Sequence, residues 1–267
     1  CEFSKWPSYP LRVDGSMLAD FTEDKLIKGF QVTAQNPLAG VSGRVALLRR
    51  LGETVLAKPE VFGIKDTPRP GGLFDHLAAL AENNRIAAPI ILREVLTHLG
   101  PIWPSRLTLG GVALGDCWKH ASLKTDDATT GLVPLHKLSQ WLSYSLIEPL
   151  QWAGIEVTDI DGLTGLAEYR NGGLFIDTGV LTLRDPSAAQ REHTVDSELV
   201  VEWRALTVAL LDRLADVIRT KLNMDRHSLP LARILQGGTW TAGRNVAKQK
   251  RADGGPPLKI VSDGTVF

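Results

Sequence analysis

Apolar residues along this 267-residue chain recur every three to four positions over long stretches and seldom alternate in twos. That period marks amphipathic helices. Residues 45–56 predict a helix that stops before Pro59. A Pro/Gly loop over 67–72 feeds a second helix, 73–81, and Pro89 sits in the first turn of a third, 90–99, closed by Gly100 and Pro101. Residues 134–153 read as a long helix with Pro134 in its first turn, a favoured place for proline. The strongest pattern follows Asp196 or Ser197 as cap, with Leu199, Trp203, Leu206, Leu210, Leu214 and Val217 as its apolar stripe. The two long helices, 134–153 and 197–223, are expected to form the core with Trp203 between them. Shorter helices are expected at 22–30, with Thr22 as cap, and at 229–236 and 241–250.

Strand signals are fewer: a pair at 106–109 and 111–114, then 154–158, 174–183 and the tail 259–267. Helices outnumber strands and do not alternate with them, which argues an α+β fold, predominantly helical with a small antiparallel sheet. The length suits a single domain over 1–267.

Composition narrows the classes. Hydrophobic residues make up 43% and charged residues 22%, enough apolar material for a packed core. Thirty basic residues balance thirty acidic ones, so no nucleic-acid partner is expected. The one basic cluster, 244–251, reads equally as a solvated helix face. No apolar run nears the length of a membrane span, and Cys1 and Cys117 form no disulfide framework. A cytoplasmic protein is expected. The chain opens on Cys1 without a signal peptide or polar tether, so a processed or truncated product is expected rather than a lipoprotein.

The densest chemistry lies in 163–179, where Glu168, Tyr169, Arg170, Asn171 and Asp177 surround Gly172-Gly173. Such groups are costly to bury unless they pair or bind something. The segment is expected to lead through the glycines into a strand carrying Asp177 inward beside Glu168. Its structural alternative is a knot in which Arg170 bridges Glu168 and Asp177. Asp177-Thr178-Gly179 matches an aspartic-protease signature, but the second copy that this chemistry needs is absent, since Asp263-Gly264-Thr265 inverts the order. On the 134–153 helix, His136, Gln140 and Tyr144 follow at i+4 opposite the apolar side, flanked by Lys137 and Glu148. That face is either solvated or a cleft wall.

Asp116, Cys117 and His120 fall within one helical turn and offer a metal or thiol site, with a buried structural Cys117 the better reading. His76, His98, His136, His193 and His227 show no paired spacing, so no metal is expected. Gly110, Gly111 and Gly115 make no dinucleotide fingerprint and no P-loop is present, so no cofactor is expected.

A family resemblance rests on several runs. They include Arg69-Pro-Gly-Gly-Leu-Phe-Asp75, Ile102-Trp-Pro-Ser-Arg-Leu107, His136-Lys-Leu-Ser-Gln-Trp-Leu142 and Gly237-Gly-Thr-Trp-Thr-Ala-Gly-Arg244. Residues 30–32, 36–38, 145–150, 161–174, 253–257 and 262–267 continue the series. In this order they resemble the bacterial and fungal uracil-catabolism protein family over essentially the whole chain. Members extend further at the N-terminus, so the chain is similar to their C-terminal two thirds. Ala167-Glu168-Tyr169-Arg170 is also similar to a short segment of the helical queuosine-salvage nucleotide glycosidases.

The resemblance implies a pyrimidine-degrading pathway that passes through a ribonucleotide and releases urea-like nitrogen. It assigns no catalytic residue. The resulting expectation is a metal-independent hydrolase of the N-glycosidic bond in a phosphorylated ribosylurea-like compound. Glu168 and Asp177 are the catalytic candidates. Arg170 and Lys137 would hold phosphate, while Tyr169, Asn171, His136, Gln140, Trp141 and Tyr144 would line the pocket. The rival expectation is a non-catalytic binding or scaffold protein that docks partner enzymes of the pathway.

Overall fold

A computed structural model describes residues 12–63 and 67–261. Cys1, the inverted Asp263-Gly264-Thr265 and the end of the expected tail strand lie outside them. The described residues open with helices α1 (Gly15–Ala19), α2 (Glu23–Gly29), α3 (Val41–Ala57), α4 (Pro59–Phe62) and α5 (Gly72–Ala79). Strand β1 (Arg85–Ala87) then enters α6 (Ala88–Leu99), and β2 (Thr108–Leu109), β3 (Val112–Ala113), β4 (Cys117–Lys119) and β5 (Leu132–Pro134) precede α7 (Lys137–Trp152). The second half holds β6 (Glu156–Thr158), α8 (Tyr169–Asp177), β7 (Glu192–Thr194), α9 (Glu198–Leu222), α10 (Leu231–Ile234), α11 (Trp240–Lys250) and β8 (Lys259–Val261). A π-helical turn, Leu235–Thr239, joins α10 to α11.

The fold is α+β and predominantly helical, with its strands in separate two-stranded pairs. The single antiparallel sheet expected from the sequence is instead four such pairs among the described residues. β2–β3 and β4–β5 are antiparallel, β1–β6 and β7–β8 parallel. The parallel pairs join segments far apart in sequence, so no local hairpin pattern announces them.

Local chemistry explains several helix starts. The Thr22 hydroxyl accepts the Lys25 N–H at the head of α2, a standard cap. Pro89 lies in the first turn of α6, where its missing N–H costs nothing. The larger core gathers α3, α5, α6 and α7 around Leu77, Ile91, Val95 and Leu150, all at most 1% exposed. A second cluster joins α8, α9 and α10 through Phe175, Leu211, Leu231 and Ile234.

Four expectations are corrected here. Residues 174–183 form no strand: 174–177 complete α8. Pro134 ends β5, and α7 starts at Lys137 with His136 as a left-handed cap at φ 44°. On both long helices the buried stripe is partly polar. On α7 it is Ser139, Gln140, Ser143, Ile147 and Leu150. On α9, Arg204, Thr207, Leu211 and Ala215 are buried, while Leu206 and Val217 are exposed. Trp203 is buried as expected, at 4%, but against α8 at Gly172 rather than between α7 and α9.

Candidate functional site

Helix α8 carries both expected carboxylates, one at each end. Glu168 precedes it in extended conformation, φ −122° and ψ 161°, and its two oxygens accept the N–H groups of Arg170 (2.9 Å) and Asn171 (2.7 Å). Two of the N–H groups orphaned at the start of a helix are thereby satisfied. Glycines 172 and 173 sit inside the helix as contact points. A Cβ at Gly172 would lie 2.8 Å from the Trp203 indole and 2.7 Å from Thr207 Oγ1, and one at Gly173 would lie 3.1 Å from Pro257. They allow close packing against α9 and the loop at Pro257 and do not lead into a strand.

Asp177 ends α8, about 13 Å along the axis from Glu168 at 1.5 Å per residue. Its carboxylate takes a two-pronged ion pair from Arg251, with Nη1 at 2.7 Å and Nη2 at 2.5 Å. Glu168 and Asp177 therefore do not face one centre, and Arg170 bridges neither. Its guanidinium lies over the Tyr169 ring (4.5 Å) and the Trp240 ring (5.0 Å), and Arg244 covers the same indole at 4.9 Å.

Around Glu168 the structure assembles a charged group from four elements. Asp116, at the head of β4, accepts Nη1 and Nη2 of Arg204 at 2.8 Å each, Trp118 Nε1 at 2.6 Å and the Lys137 backbone N–H at 2.9 Å. Arg204 is 1% exposed and also donates to the Ala167 carbonyl at 3.3 Å, one residue before Glu168. Asp116 thus anchors the start of α7 and the approach to α8 through a single carboxylate. Hydrogen bonds and the charge of Arg204 hold its carboxyl below the usual range against the opposing effect of burial. The sequence offers Asp116 only as part of a metal or thiol site with Cys117 and His120. Those residues lie on an extended segment, and Cys117 is buried, its thiol pushed up by burial.

Lys137 and Glu168 are both part-exposed, and each lies within the other's electrostatic reach. Burial, reinforced by Arg204, brings the Lys137 ammonium down to about 8. Burial raises the Glu168 carboxyl despite its two backbone hydrogen bonds. His136, alongside, is pushed down by burial. Two groups that ordinarily titrate six units apart are drawn toward each other, as acid–base pairs in active sites are.

The other expected residues divide. Gln140 Oε1 accepts the Thr164 N–H at 3.2 Å and the Tyr144 hydroxyl donates to the Thr164 carbonyl at 3.0 Å, so both tether the segment leading to Glu168. Burial pushes the Tyr144 hydroxyl well above its usual value. Asn171 is 1% exposed, with Oδ1 unpaired. Trp141 is 51% exposed and turned away from the buried Gln140 face.

A pocket of about 110 Å³ opens between α8, α11 and the loop at 253–257. Tyr169, Arg170 and Asp177 line it from α8, and Arg244, Lys248 and Arg251 from α11 and its end. Arg244, Lys248 and Arg251 of the basic cluster at 244–251 thus form one wall of a concavity. Elsewhere, among the described residues, His76, Glu94 and His98 bring potential metal-ligand atoms within 4.8 Å of one another. Glu94 and His98 are one helical turn apart, a spacing open to reading, but His76 arrives from α5 and was missed.

The chain belongs to a family described as protein of unknown function DUF1688, whose model matches residues 1–267. It is 42% identical over 269 residues to "Protein urg3" of Schizosaccharomyces pombe, covering 99% of this chain and 63% of that protein. It is 39% identical over 283 residues to "Uracil catabolism protein 4" of Lachancea kluyveri, covering 96% and 63%. The chain thus spans 63% of the length of each of these curated relatives. No helix among the described residues is long and apolar enough to cross a membrane.

Proposed function

We propose that this protein acts in uracil catabolism as an N-glycoside hydrolase on a nucleotide-like, phosphorylated ribosylurea compound. The pathway rests on the printed name of one relative. The observation that carries the chemistry is a part-exposed Glu168 held by two backbone N–H groups one residue before the basic pocket, its carboxyl raised by burial, with Lys137, at about 8, in electrostatic reach. General acid–base catalysis works best with groups that titrate near the working pH.

In this reading Glu168 faces the anomeric carbon and offsets the positive charge that builds there as the C1′–N bond lengthens. Each of its oxygens keeps a lone pair beyond the one used by the helix N–H, so the carboxylate can take a proton from the attacking water. The electron pair of the broken bond goes to the urea nitrogen, which takes its proton from the Lys137 ammonium. Urea and ribose 5-phosphate leave, and solvent restores both protonation states. Lys137 is better suited to this step than to phosphate. The phosphate falls to the basic pocket, which starts at Tyr169, one residue after Glu168, and offers Arg170, Arg244 and Lys248. Arginine's fork suits a phosphate's oxygens. Asp177 then positions Arg251 and takes no part in the chemistry.

The test is incubation of the purified protein with ribosylurea 5-phosphate. The expected result is urea and ribose 5-phosphate in equal amounts. Calorimetric binding without any release would instead establish the binding or scaffold role.

A further inference from the structure

The cluster His76, Glu94 and His98 belongs to neither part of the proposed site. It bridges α5 and α6 at the edge of the larger core, beside the buried Leu77, Ile91 and Val95. Glu94 is 7% exposed, a depth at which a carboxylate needs compensation. Both imidazoles converge on one of its oxygens: His76 Nε2 lies 2.8 Å and His98 Nε2 3.2 Å from Oε2. The rings meet edge to face with centroids 5.0 Å apart. Arg93 Nε approaches the other oxygen at 2.9 Å from a side chain 63% exposed, free to swing away.

We infer that His76, Glu94 and His98 form a binding site for one divalent transition-metal ion, with zinc the best match. Two imidazole nitrogens and a carboxylate oxygen are a familiar zinc donor set, and tetrahedral zinc with bonds of about 2.0 Å places neighbouring ligand atoms about 3.3 Å apart. The two nitrogen–oxygen separations already stand near that edge length. Without an ion, His98 Nε2 is placed to donate to Glu94 Oε2 at 3.2 Å. Binding an ion there displaces that proton and leaves the ring's remaining N–H on the buried Nδ1, so zinc binding should weaken as the pH falls. Three protein ligands leave the fourth position to water. Hard oxygen-seeking ions such as magnesium and calcium fit poorly, because two of the three donors are imidazoles.

The competing arrangement is a hydrogen-bonded triad that needs no ion. Equilibrium dialysis of the chelator-stripped protein against Zn²⁺ separates the two. One equivalent is expected to bind, with affinity at least tenfold weaker in His76→Gln, His98→Gln and Glu94→Gln. The surface variant His227→Gln should bind as the parent does. His76, the most exposed of the three at 24%, is the substitution least exposed to folding failure. Cobalt substitution in the unmutated protein provides a second reading that needs no variant. Intense visible d–d bands of a four-coordinate site support the assignment. Sub-stoichiometric zinc, binding undiminished in the three variants, or the faint spectrum of six-coordinate cobalt would overturn it.

Discussion

Glu168 and Asp177 stand at opposite ends of one nine-residue helix, both only part-exposed, yet their surroundings differ in kind. At Asp177 a guanidinium sits squarely on the carboxylate, each oxygen meeting its own nitrogen. At Glu168 the carboxylate is held by backbone N–H groups, with a lysine in electrostatic reach. Of the guanidiniums nearby, Arg204 is engaged by Asp116, and Arg170, stacked on Tyr169 and Trp240, lowers the carboxyl without displacing the effect of burial. An acid fully matched by a cation is stable and unreactive. An acid oriented by neutral donors and partly desolvated keeps its affinity for a proton, which is what acid–base chemistry uses.

The largest effect is expected where the reactive end is held together. Asp116→Asn leaves the Arg204 guanidinium buried without its counter-charge, so unfolding in urea should show a loss of about 3–5 kcal/mol. Asp177→Asn should cost clearly less, because Arg251 is 26% exposed and water can take over. Equal losses at the two ends would remove the contrast.

Next in size is the pH dependence of Lys137. Its folded value of about 8 lies below the ordinary 10.5, so between those limits the unfolded chain binds more protons. Stability should therefore rise with pH through that window, by at most roughly 3 kcal/mol, and Lys137→Met should abolish the rise. Turnover should move the opposite way, since the proton donor empties: kcat/KM should fall about tenfold per unit above pH 8. A flat profile from pH 7 to 10 would remove Lys137 from the chemistry.

A smaller effect concerns the packing that sets the helix between its neighbours. In an exposed helix Gly→Ala stabilises by up to about 1 kcal/mol. Here Gly172→Ala should destabilise by about 1–3 kcal/mol, because its methyl would press on the Trp203 ring. Thermal melting decides the sign.

The same helix shows where sequence reading succeeds and fails. Thr22 capping α2 and Pro89 opening α6 are local devices, and those helices fall within a few residues of their expected bounds. The end of α8, 174–177, reads as the start of a strand because two glycines precede it and Glu168 is an unusual cap. Its packing partners come from far along the chain, Trp203 of α9 at Gly172 and Gly243 of α11 at the Arg170 backbone. The polar stripes of α7 and α9 misled for a related reason. Gln140 and Arg204 are buried because partners at Thr164 and Asp116 satisfy them, and the latter is 88 positions away. Apolar periodicity does not register such pairs. Glu168, Tyr169 and Arg170 were legible as a dense polar run. The approach of Lys137 to Glu168 depends on tertiary structure, and the separation of Asp177 on the segment being helical rather than extended.

The most direct measurement is kcat/KM for ribosylurea 5-phosphate cleavage in Glu168→Gln and Asp177→Asn, run beside the parent under identical conditions. Glutamine keeps an oxygen for the helix cap but cannot take a proton from water. A loss of about 10²–10⁴-fold is expected at position 168, the range for removing a general base, with a loss under about tenfold at position 177. Full activity in Glu168→Gln, or a larger loss in Asp177→Asn, would contradict the account.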